Sequence, residues 1–132
     1  HKTRKRCMDA FSRAKQDGLV KAVGVSCHNI DALAEAAVNP WVDVVLARIN
    51  PFGTNMDASP EIVKENLRKA KENGKGVIGF KIFGEGKQIS ENEREQSINF
   101  VVTQGNVHCV TLGLESESQL DDAVERVMRN IT

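Results

Sequence analysis

The sequence predicts an α/β fold built from parallel (β/α) units, a partial barrel in one domain over residues 1–132, and three observations carry that reading. Four short apolar runs rich in β-branched residues recur along it, at residues 19–26, 42–50, 76–82 and 107–114. They are nearly continuously hydrophobic rather than alternating, the pattern of strands covered on both faces in a parallel sheet. Segments of helical period separate them at intervals of roughly 20 to 35 residues, the size of one βα unit, and no linker divides the chain.

A first helix is predicted over about residues 4–16, with Cys7, Met8, Phe11 and Ala14 on one side and Asp17-Gly18 as its stop. Asn29 caps a second, where Ile30, Leu33, Ala34 and Ala37 share a face and Asn39-Pro40 ends the run. The third opens at Ser59-Pro60-Glu61, a cap with Pro in the first helical position, turns Ile62, Val63, Leu67 and Ala70 inward, and stops at Asn73-Gly74. Ser90 and Glu93 have the spacing of a capping box for the fourth, which Gln104-Gly105 closes. Ser118 is expected to cap a fifth over residues 119–129, with Leu120, Val124 and Val127 as its buried stripe.

Eighteen basic and eighteen acidic residues leave no net charge, so no global field favours nucleic acid or an anionic membrane. A small molecule or a protein is the expected partner. Cys7, Cys27 and Cys109 are odd in number and show no C-x-x-C spacing, which points to reduced thiols rather than a disulfide framework or a zinc ribbon. No apolar run nears the roughly 20 residues that span a bilayer, and no signal core opens the chain, so a cytoplasmic location is expected. The chain begins at His1 and a basic run, as a fragment would.

Two architectures accommodate this order: a small doubly wound sheet, or consecutive units of a TIM-type (β/α)8 barrel. A doubly wound nucleotide binder usually carries a Gly-rich phosphate turn after its first strand, and Gly-x-Gly-x-x-Gly is absent here. The nearest cluster, Gly84-Glu85-Gly86-Lys87, follows the third strand. In a barrel the loops after the last two strands commonly hold phosphates, which is where this cluster falls if the strands are the fifth to eighth. Polar residues also gather at strand ends: Ser26 to Asn29 after the first, Arg48 and Asn50 at the second, Lys81 at the third, Glu115 and Ser116 after the fourth. Active sites of parallel barrels are built at that rim.

Several stretches are familiar. Val23-Gly24-Val25-Ser26-Cys27-His28-Asn29 resembles the fifth-strand motif of aldo/keto reductases, and Ala47-Arg48-Ile49-Asn50-Pro51-Phe52 resembles their sixth strand with its Asn-Pro-Phe ending. Gly76-Val77-Ile78-Gly79-Phe80-Lys81 is similar to the seventh strand, and residues 112–124 to the eighth and the helix after it. The likeness runs from about residue 9 onward and implies the C-terminal half of the family's (β/α)8 barrel. It implies an NADPH- or NADH-dependent reduction of a small-molecule carbonyl substrate without metal. By position, Ser26 and Cys27 would meet the carboxamide, with Cys27 standing where the family usually has Asn. Phe80 would stack under the nicotinamide in place of a Tyr, since stacking needs only a flat apolar face. Lys81, Gly84, Lys87, Gly113, Gln119 and Asp122 would line the rest of the cofactor, and Arg48 and Asn50 the substrate.

The departures matter as much. Leu46 stands where the family usually has Gln, and Gly113, Gln119, Asp122 and Ala123 stand where many members place a 2′-phosphate clamp. A dianionic phosphate wants a positive fork, so NADH is as open as NADPH, with Lys81 and Lys87 able to compensate. The family's catalytic Asp, Tyr, Lys and His are not assembled here: the chain has no Tyr, and only His1 is placed to be the fourth. Without that proton donor the chain alone is expected to be inactive. Either the missing N-terminal half of the barrel or a second copy is then the expected partner, and a non-catalytic half-barrel that binds a dinucleotide or assembles is the alternative. His28 and the strand residue His108 read first as ordinary loop and sheet residues, and Arg48 as either ion-paired or substrate-facing.

Overall fold

A computed structural model describes residues 2–88 and 90–131. Five helices and four strands alternate along them: α1 (Lys2–Gln16), β1 (Gly24–Ser26), α2 (Ile30–Val38), β2 (Val44–Arg48), α3 (Pro60–Glu72), β3 (Gly76–Phe80), α4 (Glu91–Thr103), β4 (Cys109–Val110) and α5 (Glu117–Ile131). All three strand pairings are parallel, and the sheet order follows the chain, β1-β2-β3-β4. A doubly wound sheet reverses its order at a switch point. This one never does, and an unreversed row is how the staves of a (β/α) barrel are laid.

Local chemistry explains the helix bounds. Asn29 accepts hydrogen bonds from the backbone N–H of Asp31 and Ala32 at the start of α2. Ser59 precedes Pro60 at the start of α3, where the missing proline N–H costs nothing. Ser90 and Glu93 close the reciprocal capping box of α4. For α5 the expected cap is displaced: Ser116, not Ser118, accepts from the Gln119 N–H at 3.3 Å, and the helix begins at Glu117.

The core lies on one side of the sheet. Val45, Ala47 and Val77 are buried in one cluster with Leu33, Ala36 and Ala37 of α2, Val63, Leu67 and Ala70 of α3, and Ile98 and Val101 of α4. Val44, Leu46, Arg48, Ile78 and Phe80, the alternate positions of β2 and β3, stay partly exposed. The expectation that both faces are covered is thereby corrected: continuous hydrophobicity here reflects helices on one face and a second, apolar but open face.

Other expectations are corrected by the same geometry. The strands are shorter than the apolar runs, since a ladder exists only where a neighbour is in register, and Leu19 and Val20 lie exposed before β1. Met8, Phe11, Ile62, Leu120 and Val124 are exposed, although each sits on a stripe that helical period would bury. In α5 the inward residues are Ala123 and Arg126, with Val127 half-buried. Arg126 ties α5 to α4 by an ion pair to Glu95 at 2.9 Å and a hydrogen bond donated to the Glu91 carbonyl, and it also pairs within α5 with Asp122 at 2.7 Å. At the foot of the sheet the buried Lys75 donates to the carbonyls of Asn39 and Val42, which satisfies an ammonium that sequence alone does not place there. No helix among the described residues is long and apolar enough to cross a membrane.

Candidate functional site

The carboxyl ends of parallel strands collect side chains that the ladder itself does not use. Ser26 ends β1 and shares a face with Leu46 of β2, and through Leu46 with Ile78 and Phe80 of β3. Alternation therefore sets the Ser26 hydroxyl and the Phe80 ring on the same open face, two strands apart. Cys27 is the next residue along and takes the opposite side. Its side chain is 2% exposed and joins the core. Burial, followed by the charge of Asp57, pushes the thiol up to about 11, so it stays protonated and inert near neutral pH.

His28 bridges the strand tips. Its Nε2 lies 3.2 Å from the Ser26 Oγ, its Nδ1 lies 2.5 Å from the Arg48 Nη2, and its ring meets the Phe80 ring at 5.6 Å between centroids. Arg48 in turn donates from Nη1 to Asp57 at 3.3 Å, and the Asp57 side chain is only 6% exposed. Arg48 is thus ion-paired, and its second terminal nitrogen meets the histidine, while its buried Nε has no hydrogen-bond partner among the described residues.

Asn50 is fully buried and serves its own loop. Its Oδ1 accepts from the N–H groups of Phe52 and Thr54, and its Nδ2 donates to the carbonyls of Thr54 and Lys81. These bonds pin the loop after β2 to the turn after β3. Substrate contact, expected of Asn50 by position, would have to displace them.

Beyond β3 the chain turns sharply, with Lys81, Gly84, Glu85 and Gly86 all at positive φ. Gly84 is also close-packed there, since a Cβ would press on the Gln88 side chain and the Thr54 methyl. Lys81 pairs with Glu85. That hydrogen bond, and then the ammonium's charge, hold the Glu85 carboxyl below its usual range. Lys87 stands exposed on the same turn.

A cleft of about 980 Å³ runs from Phe80 and Lys81 across this turn to the segment after β4 and the first turns of α5. Gly113, Gln119 and Asp122 line its far side, so five residues singled out from the sequence, these three with Phe80 and Lys81, line one continuous cleft, while Gly84 and Lys87 are on the adjoining turn but not in its lining. Gln119 accepts from the Glu115 N–H at 2.7 Å, fixing the approach to α5. Asp122 pairs with Arg126 and with Arg94, and the Arg126 hydrogen bond is the main cause that holds its carboxyl below the usual value. Arg94 and Gln88 also line the cleft, and sequence reading missed both. Arg94 lies inside a helix with no weak local signal to mark it, and only the packing of α4 on α5 brings it to Asp122.

His1 lies outside the described residues. Among the described residues no group of three or more His, Cys, Asp or Glu side chains is placed to hold a metal ion.

The chain is an α/β protein of parallel βα units, consistent with part of a (β/α) barrel, with a polar rim and a cleft at the strand tips. The family model of the aldo/keto reductases matches residues 2–130, and the chain belongs to that family of oxidoreductases. No curated protein matches the chain.

Proposed function

We propose that this chain forms the nicotinamide and phosphate side of an NAD(P)H-dependent carbonyl reductase site, its strands being the fifth to eighth of a (β/α)8 barrel. One observation carries the reading: a hydroxyl and an aromatic ring share the open sheet face at the strand tips, and a cleft of about 980 Å³ starts at that ring. The bound cofactor would supply the hydride. This chain would hold it, with the Phe80 ring as the flat apolar seat, the Ser26 hydroxyl toward the carboxamide, and the turn from Lys81 to Lys87 beside the phosphates.

The cleft's charge supports NADH over NADPH. Its lining has Lys81 and Arg94 against Glu85, Glu115 and Asp122, and a 2′-phosphate would add two negative charges to a wall that already favours the negative sign. Titration of the chain with each dinucleotide, followed by nicotinamide fluorescence, tests this. NADH is expected to bind more tightly than NADPH, and Phe80→Ala to weaken NADH roughly tenfold, the value of one lost aromatic contact. Binding of neither dinucleotide would overturn the reading, and tighter NADPH binding would overturn the preference.

A second reading has an observation of its own. The chain contains no Tyr, so it lacks the family's usual proton donor, and a non-catalytic half-barrel that binds a dinucleotide or assembles through its open face fits that composition. A carbonyl-reduction assay separates the two: no turnover by the chain, and turnover only with the remaining βα units supplied, supports the catalytic reading.

A further inference from the structure

We infer that Asp57, Arg48 and His28 act in series as positioning residues that fix the Ser26 hydroxyl as a hydrogen-bond donor toward whatever occupies the rim; that this occupant is a nicotinamide rests on the function proposed above. The inference follows from donor and acceptor inventories. A guanidinium has only donors, so the 2.5 Å contact between the Arg48 Nη2 and the His28 Nδ1 requires Nδ1 to be an unprotonated acceptor. The imidazole proton must then sit on Nε2, which donates across 3.2 Å to the Ser26 Oγ. That leaves the Ser26 hydroxyl hydrogen to point elsewhere, and Ser26 is exposed on the open face.

Asp57 is the anchor. It accepts from the Arg48 Nη1 at 3.3 Å with its own side chain 6% exposed, which holds the guanidinium in the plane that reaches the imidazole. Phe80 closes the other side of the ring at 5.6 Å. Every bond in the series thus runs one way, from the guanidinium to the imidazole to the hydroxyl. The rim is thereby set to read an acceptor, such as a carboxamide oxygen, and to disfavour a donor at that point.

Two measurements on the full chain test this. Long-range ¹H–¹⁵N spectra of the unliganded protein should show His28 with Nε2 protonated and Nδ1 as acceptor. The double variant Arg48→Met with Asp57→Asn removes both members of the pair, strands no buried charge, and should abolish that tautomer bias. A protonated Nδ1 in the neutral wild-type ring, or a bias that survives the double variant, overturns the inference. In NADH titrations, His28→Ala should weaken binding roughly threefold to tenfold, the value of one hydrogen bond. The same change should do little in a Ser26→Ala background. Additive effects overturn it. If the wild type binds neither dinucleotide, the functional reading falls while the tautomer result still decides the series.

Discussion

Asp43 lies between β1 and β2, and its carboxylate is used twice: the Lys15 ammonium donates to it at 2.6 Å and the Val23 N–H at 2.9 Å. The hydrogen bond from Lys15 comes first, and that from Val23 next, among the causes that hold its carboxyl below the usual 3.8. A folded value below the unfolded one means that the stabilisation is complete above the unfolded pKa and is lost as pH falls through the folded one. Asp43→Asn should therefore have a lower urea midpoint than the wild type at neutral pH, and the two midpoints should converge as pH drops below about 4. A gap that persists in acid would contradict the assignment. Single residues were legible where their chemistry is local: Asn29, Ser59 and Ser90 cap helices because they precede helical runs by fixed offsets. Arg48 was left between two readings because its partner Asp57 sits nine residues on, in a loop with no period to predict the meeting. Lys75 was missed for the same reason, since its carbonyl acceptors belong to the far end of α2 and the approach to β2.

Elements meet where small residues let them. Gly24 of β1 would carry a Cβ 2.1 Å from the Val44 carbonyl oxygen, a backbone atom that cannot step aside without breaking the β1–β2 ladder. Gly113, on the cleft wall, would meet nothing within 4 Å. Gly24→Ala is accordingly expected to cost about 2–4 kcal/mol in chemical denaturation, and Gly113→Ala to stay within about 0.5 kcal/mol of wild type. Equal effects would mean that the strand approach is misjudged. Helices α2 to α4 were readable nearly residue for residue because caps mark both ends. For α5 the period was right and the facing wrong: an amphipathic helix announces a stripe but not which stripe meets the core, and in the structure Ala123 and Arg126 face inward, with Arg126 paired to Glu95 of α4. Strand lengths were overread because apolar composition continues into segments such as residues 19–23 that no neighbour pairs.

At the scale of the molecule, one face of the sheet is buried under helices and the other keeps Leu46, Ile78 and Phe80 partly exposed next to the polar tips. That asymmetry was illegible in the sequence, because a strand facing a barrel interior and a strand facing helices use the same apolar residues. The parallel order and the gathering of polar residues at one rim were legible, since both follow from alternation of βα units. Backbone and side-chain amide shifts, mapped by ¹H–¹⁵N correlation spectra as NADH is added to the ¹⁵N-labelled chain, test the central claim most directly. The shifted signals are expected to gather at Ser26, His28, Phe80 and its turn, Gly113 and Gln119. Shifts gathered instead around the pocket that Ser12 of α1 lines with Trp41, ahead of β2, or no shifts at saturating NADH, would contradict it.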